Sequence, residues 1–413
     1  LKVLFLHNNM PGQFKHLARA MGQDPEHEPV FVTRRADVEI PGVRTIVYEP
    51  VREATAQTHF YVRTLENAVL RAQQVTRICQ SLRRAGFIPD VAIVHPGWGE
   101  GLFLREIFPE TAILSYCEYY YRAEGGDIGV VRPADLDDLC RLRTRNAHLL
   151  LALEDCDLGW SPTQWQKSRH PAALQDRIRV VPDGVDIAVC RPQSDGAVQL
   201  PGGRVIKQGQ EVITFAARHL EPYRGFHTFM RALPALLQAR PNAQVVIVGA
   251  ETGGYDTPPA NGLTWRETLE SEISYDRDRV HFVGWLEYRA YLALLQLSAV
   301  HVYLTVPFVL SWSFLEAMAC GAVLVASDTP PVREVLTHGR TGFMTKFADP
   351  DRVARDVVSA LESPRRHEIS QAARRLIVER YNLADALSAQ FALLEEAIER
   401  RRRVREDDLA QAG

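Results

Sequence analysis

Short apolar runs alternate with longer stretches in which apolar residues recur every three or four positions, and this rhythm persists along nearly the whole chain. Runs of the first kind predict buried parallel strands, and the stretches between them predict helices that cover the sheet faces. In the first half the strands fall at KVLFL (2–6), PVFVT (29–33), DVAIV (90–94), TAILS (111–115) and RIRVV (177–181), with an unusually long helix over 59–85. The pattern restarts with EVITFAA (211–217), QVVIVG (244–249), RVHFVG (279–284), VHVYL (300–304) and AVLVA (322–326). A helix over 226–240 carries Phe226, Phe229, Met230, Leu233, Leu236 and Leu237 on one stripe, which makes that stripe a core face, and Pro241 closes it. A last helix spans 383–405 and ends in the basic run ERRRRVRE (399–406), a solvated end that complements the helix dipole.

Between the halves, CRPQSDGAVQLPGGRVIKQGQ (190–210) lacks a sustained apolar period, so the domain boundary falls there. At 413 residues the chain exceeds the size of one growing core. The expectation is an α/β protein with two Rossmann-like domains, 1–190 and 211–382, facing each other across a cleft. A linker (191–210) joins them, and the C-terminal segment 383–413 is positioned to pack back on the first.

Composition narrows the function classes. Hydrophobic content of 46% and charged content of 24% are those of an ordinary soluble protein. A net charge of −3 gives no global attraction for nucleic acid or an anionic membrane, so any anion site must be local. The apolar start LKVLFL is too short for a signal or a membrane span, which points to the cytoplasm. Because the first residue is Leu1, a few native residues are expected to precede it. The six cysteines show no CxxC spacing and read as buried thiols. His7, His16, His148, His170 and His301 have no metal-ligand spacing and receive no role. Asp155 and Asp157 form a D-x-D spacing, read here as structural because it leads into a β-like stretch. GWGEG (97–101) lacks the G-x-G-x-x-G spacing, and no G-x4-GK[ST] occurs.

One local anion site is visible in FAARHLEPYRGF (215–226). Arg218 ends a strand, and Arg224 and Gly225 immediately precede a helix. Two guanidinium forks, a helix N-terminus and a glycine that permits close approach suit a diphosphate. The alternative is a pair of surface arginines around a turn. A second stretch, PFVLSWSFLEAMACGAVLVAS (307–327), would expose the amides of Ser311, Trp312 and Ser313 at another helix start. Glu316, one turn in, could accept hydrogen bonds from a ribose diol.

With these residues assembled, the chain resembles the retaining GT-B glycosyltransferases of family 4, in a bacterial branch. The matching residues are Arg218, Arg224-Gly225, Glu316 and AMACGAVLVAS (317–327), with VVPDGVD (180–186) and RVHFVGW (279–285) adding to them. HPGWGE (95–100), SPTQWQKS (161–168) and EPYRGFHTFMRALP (221–234) are similar to that branch as well. The resemblance implies a GT-B fold with an acceptor-binding first domain and a nucleotide-sugar-binding second domain. It further implies that Arg218 and Arg224 hold the donor diphosphate, that Glu316 binds the ribose, and that the backbone at Gly284 and Trp285 meets the base. Two departures stand out. Arg224 replaces a lysine, which keeps the charge. Phe308 occupies the first acidic position of the family's E-x7-E pattern, whose carboxylate meets the donor sugar.

By the same resemblance, transfer proceeds by front-face attack, without a protein nucleophile, a metal or another cofactor, and the leaving phosphate takes the acceptor proton. The reacting sugar is supported by a polar group of the first domain. The corresponding stretch here is LSYCEYYYRAEGGD (114–127), in which Glu118 is the candidate catalytic group beside Arg218 and Arg224, with Tyr119 and Arg122 near the acceptor. Gly12 would let the first strand-to-helix turn approach the phosphates. His95 and Trp98 end a strand and either stack on the acceptor or belong to the core. The acceptor is a glycan, a lipid-linked glycan or a natural product. A lipid-linked one would bring the protein to the inner membrane face as a peripheral enzyme. The alternatives are a nucleotide-binding scaffold that lost catalysis with the first glutamate, and a GT-B epimerase or phosphorylase.

Overall fold

A computed structural model of the chain describes residues 1–193 and 195–412, which form two compact units. The first comprises Leu1–Ile128, Pro133–Asp183 and the C-terminal segment from Ala384; the second comprises Gly129–Arg132 and Gly184–Leu383.

In the first unit seven strands are all parallel: β1 (Lys2–Leu6), β2 (Glu28–Thr33), β3 (Arg44–Val47), β4 (Val91–Val94), β5 (Ala112–Tyr116), β6 (Leu158–Ser161) and β7 (Ile178–Val180). Their order is β3-β2-β1-β4-β5-β6-β7, so the direction of winding reverses between β1 and β4. The apolar runs are continuous because both faces are covered. Phe14, Leu17 and Met21 cover one face together with Leu393, Leu394 and Ala397 of the C-terminal helix Leu383–Ala412. Val75, Cys79 and Leu82 of the helix Arg63–Arg84 cover the other. Polar ties fix the C-terminal helix: Arg179 meets Glu396 at 2.8 Å, and Gln390 Nε2 donates to Pro182 O at 3.1 Å.

The second unit opens with an antiparallel hairpin, β8 (Ala197–Gln199) and β9 (Val205–Lys207), and continues with a six-stranded parallel sheet. Its strands are β10 (Val212–His219), β11 (Gln244–Ala250), β12 (Val280–Gly284), β13 (Val300–Tyr303), β14 (Val323–Ser327) and β15 (Phe343–Thr345). The order β12-β11-β10-β13-β14-β15 reverses between β10 and β13. The predicted stripe Phe226, Phe229, Met230, Leu233, Leu236 and Leu237 is fully buried on the helix Phe226–Ala239, where it meets Val353 and Val357.

Some boundaries differ from the sequence reading. The stretch read as a linker holds the β8–β9 hairpin, whose Val198, Leu200 and Ile206 pack on Val212, Val246 and Leu294. The last helix continues to Ala412, beyond 405. All six cysteines are free thiols, five of them buried. Among the described residues no helix is long and apolar enough to cross a membrane.

Leu394 lies fully buried in the core of the first unit although it comes from the far end of the chain. Leu394→Ala is therefore expected to cost about 2–5 kcal/mol of unfolding free energy in chemical denaturation, whereas a dispensable tail would show no change.

Candidate active site

In an open parallel sheet, ligands gather beyond the carboxyl ends of the two strands between which the winding reverses. In the second unit these are β10 and β13. β10 is irregular between Ala216 and His219, and Arg218 sits in that irregularity with its side chain exposed. The chain then turns through Pro222–Arg224 and passes Gly225, at φ +69°, into the helix Phe226–Ala239. A Cβ on Gly225 would stand 2.2 Å from Leu304 Cβ, so glycine alone lets the helix start settle on the end of β13.

Arg224 is half-buried and donates to Thr305 Oγ1 at 3.3 Å. Its Cζ lies 5.6–5.8 Å from the ring centres of Tyr223, Tyr255 and Phe308, close enough for cation–π attraction. Phe308 is itself buried, edge-on to Tyr223 and Tyr255. The buried Glu221 accepts from the amides of Tyr255 (2.6 Å) and Asp256 (2.9 Å), and Asp256 accepts from the Tyr223 amide. These bonds pin the segment after β11 onto the arginine turn. Burial raises the carboxyl pKa of Glu221, and the two amides oppose that shift.

The helix Trp312–Cys320 starts from Ser311 beyond β13, with Ser313 in its first turn. The Ser311 amide, expected to face outward, instead donates to Tyr303 Oη at 2.9 Å, and Ser313 Oγ donates to Ser311 Oγ at 2.9 Å. Glu316 accepts from Tyr288 Oη at 2.7 Å. Gly284 takes φ +64° at the end of β12, where an added Cβ would meet nothing, so conformation and not crowding calls for glycine there. Trp285, next along, is 69% exposed.

In the first unit β1 and β4 lie side by side, and each is followed by a histidine, His7 and His95. The two rings are 4.7 Å apart, and Trp98 packs on both at 5.0 and 4.7 Å. Backbone amides fix both tautomers. Gly97 N donates to His95 Nδ1 at 3.2 Å and Asn9 N donates to His7 Nδ1 at 2.9 Å, which leaves each proton on Nε2. His95 Nε2 then donates to Glu118 Oε2 at 3.3 Å. His7 Nε2 donates to Gln13 Oε1 at 2.7 Å, and the Gln13 amide nitrogen donates to Glu118 Oε1. Both oxygens of Glu118, just beyond β5, thus receive a hydrogen bond, and its side chain is still 26% exposed. Gly12 serves this arrangement: at φ +49°, its added Cβ would stand 2.2 Å from His7 Nε2. Burial, with the neighbouring His95 ring, holds the His7 pKa well below 6.5, and the bond to Gln13 opposes this.

A cavity of about 200 Å³ in the first unit is lined by His95, Trp98, Glu118 and Tyr119, and also by Arg71, Tyr121, Arg145 and His148. The Tyr119 hydroxyl is engaged by Asp127 at 2.9 Å. Arg122 is directed elsewhere than expected: it donates to the carbonyls of Arg169 (2.6 Å) and His170 (3.0 Å), holding its own segment to a helix end. Asp157 accepts from Arg105 and from the Ile113 amide, a structural tie between the starts of β5 and β6. The sequence reading gave His7 no role and passed over Gln13. The available signal was that LFLH and AIVH both end a strand in histidine.

Residues 25–190 match the family described as Glycosyl transferase family 4 group, and residues 202–376 match Glycosyl transferases group 1. Similar curated proteins include the GDP-mannose-dependent monoacylated alpha-(1-6)-phosphatidylinositol monomannoside mannosyltransferase of Corynebacterium glutamicum, 29% identical over 48% of this chain and 51% of that one. The phosphatidyl-myo-inositol mannosyltransferase of Mycolicibacterium smegmatis is 26% identical over 57% of this chain and 55% of its own. The chain spans about half the length of the curated relatives it matches. Among solved structures, Anabaena HepE with UDP and glucose aligns with a TM-score of 0.68 at 16% identity, covering 96% of this chain and 99% of that one. Sucrose-phosphate synthase of Thermosynechococcus elongatus aligns with a TM-score of 0.70 at 17% identity, covering 96% and 98%. The likeness to these structures concerns the fold, two Rossmann-like halves of the GT-B class.

Since burial lowers the His7 pKa, nitrogen-15 NMR from pH 8 downward is expected to find His7 neutral, with its proton on Nε2, through the ordinary imidazole midpoint of 6.5. A titration centred at 6.5 would refute the effect of burial, and a proton on Nδ1 would refute the chain of bonds leading to Glu118.

Proposed function

Both halves being matched in succession, the chain belongs to the family 4 type of GT-B glycosyltransferases, and on that premise we propose a retaining transfer of a sugar from a nucleoside diphosphate sugar to a hydroxyl acceptor, without a metal. The carrying observation is the Arg224-Gly225 turn, which delivers a half-buried guanidinium to the start of a helix beyond β10, near the exposed Arg218.

As the bond between the anomeric carbon and the diphosphate oxygen breaks, its electron pair moves onto the phosphate. Fixed positive charge aimed there stabilises the transition state more than the ground state. Arg218 and Arg224 supply that charge. The acceptor oxygen bonds the anomeric carbon on the face the diphosphate leaves, and its proton passes to the departing phosphate oxygen. Configuration is retained, and no covalent enzyme intermediate forms. Glu118, steadied by two N–H donors, supports the reacting sugar or orients the acceptor hydroxyl. Glu316, held by Tyr288, is suited to accept from the ribose diol.

Arg224→Ala removes charge-assisted hydrogen bonds worth about 1.5–3 kcal/mol and is expected to weaken nucleoside diphosphate binding by roughly one to two orders of magnitude in calorimetry. Unchanged affinity would sink the diphosphate assignment. Glu118→Gln is expected to lower turnover far more than donor affinity, and equal losses in both would make Glu118 structural. Transfer should persist in excess EDTA. Titration with UDP, GDP, ADP and dTDP, followed by the matching sugar nucleotides, tests the whole reading, and binding without any turnover would favour a scaffold.

A further inference from the structure

Between Arg218 and Arg224 every second residue reaches the segment that follows β11. His219 Nδ1 donates to Thr252 O at 2.8 Å, Glu221 Oε2 accepts from the amides of Tyr255 and Asp256 at 2.6 and 2.9 Å, and the Tyr223 amide donates to Asp256. Glu221 also holds the turn from its main chain: its carbonyl accepts from Arg224 N and Phe226 N, each at 3.2 Å. One buried residue thus joins the arginine turn, the helix start and residues 252–256. Gly254 makes room for its carboxyl group: at φ +112°, an added Cβ would stand 2.2 Å from Glu221 Oε2.

This tie bears on Arg224 because the contacts of that side chain are weak. The guanidinium meets one hydroxyl, Thr305 Oγ1 at 3.3 Å, and three rings whose centres lie 5.6–5.8 Å away. Two of those rings, Tyr223 and Tyr255, belong to the two segments that Glu221 joins. Tyr255 is 57% exposed, so its place depends on the backbone that Glu221 and Asp256 fix. Burying a carboxyl group between two irregular segments costs desolvation, and its effect is to set the surroundings of the guanidinium. Both amides converge on one oxygen, so the tie needs an acceptor at that point and no charge. Burial raises the pKa of both Glu221 and Asp256, which suits an acceptor better than a counter-ion.

We propose that Glu221 is a positioning residue for the donor diphosphate: through Oε2 it fixes residues 252–256, and with them the Tyr255 ring that faces Arg224, and it acts as a hydrogen-bond acceptor and not as a charge. The inference rests on the reading that Arg218 and Arg224 meet the diphosphate.

The test is calorimetric titration of the full chain and its variants with UDP, GDP, ADP and dTDP. Whichever diphosphate the unaltered protein binds is expected to bind Glu221→Ala roughly 3- to 10-fold more weakly, because the freed groups must be ordered on binding. Glu221→Gln, which keeps a carbonyl oxygen at that point, should recover most of the loss. Glu221→Asp, which keeps the charge but withdraws the oxygen by one methylene, should not. In an Arg224→Ala background, Glu221→Ala should change affinity by less than about twofold, since the residue acts through the guanidinium. A role in folding alone would give the same loss in both backgrounds. If Glu221→Ala fails to fold, Gly254→Ala, whose Cβ would strike Oε2, should reproduce the loss. Unchanged affinity in the alanine variants, Glu221→Gln no better than Glu221→Ala, or equal losses with and without Arg224 would overturn the proposal. If none of the four nucleotides binds the unaltered protein, or if Arg224→Ala binds them as well, the diphosphate reading falls and the proposal with it. A weakened Arg224→Ala beside an unchanged Glu221→Ala sinks the proposal and leaves that reading standing.

Discussion

How closely a backbone can approach what lies beneath it governs the chemistry of both units. At Gly12 a single added carbon would sit 2.2 Å from the His7 ring, and at Gly225 it would sit 2.2 Å from Leu304 Cβ. Both glycines adopt positive φ in the first turn after the first parallel strand of their sheet. A side chain there would be excluded twice, by crowding and by conformation. Removing it lets the turn fold down onto a strand end, its own at Gly12 and the neighbouring one at Gly225, and the polar groups on either side are then fixed by their surroundings. The same local solution serves different ends: an acid is oriented in one unit, and a cation is brought to a helix start in the other.

The two sites manage charge in contrasting ways. Around Glu118 the partners are N–H groups: one buried imidazole donates directly, and another acts through the Gln13 amide. Backbone amides set both tautomers, so the direction of every bond follows from main-chain geometry. Around Arg224 the partners are the Thr305 hydroxyl and three rings, which attract a cation without neutralising it. At position 308 it is a ring, and not a carboxylate, that faces the guanidinium. The departure from the family pattern therefore changes what the guanidinium faces.

The central strands are legible in the sequence because each is buried on both faces and reads as an unbroken apolar run. Two edge strands, β7 and β12, are legible as well, but the other two and the hairpin are not. β3 (RTIV) and β15 (FMT) are short and half-exposed, and β8 and β9 have three residues each, so none builds a period above the noise. The arginine turn and Glu316 are legible because their spacing relative to a strand and a helix is itself the signal. The amide of Ser311 misleads: its capture by Tyr303 depends on a ring eight residues back whose direction the sequence does not reveal. Arg122 misleads similarly, since its partners are backbone carbonyls almost fifty residues away. His7 is hidden for another reason. A histidine after a strand is commonplace, and only the pairing of β1 with β4 turns two of them into one structure.

The last helix gives the chain an order of assembly. Gly184–Leu383 is continuous in the second unit apart from a short piece taken from earlier in the chain, whereas the first unit lacks a layer of its core until the helix beginning at Leu383 has been made. On a ribosome, the second unit can close while the sheet of the first still exposes the face that Leu393, Leu394 and Ala397 will cover. The half of the molecule synthesised first is therefore the half completed last. Through that interval its parallel strands stay open to wrong partners, and a chaperone that binds nascent chains would find its longest-lived target there.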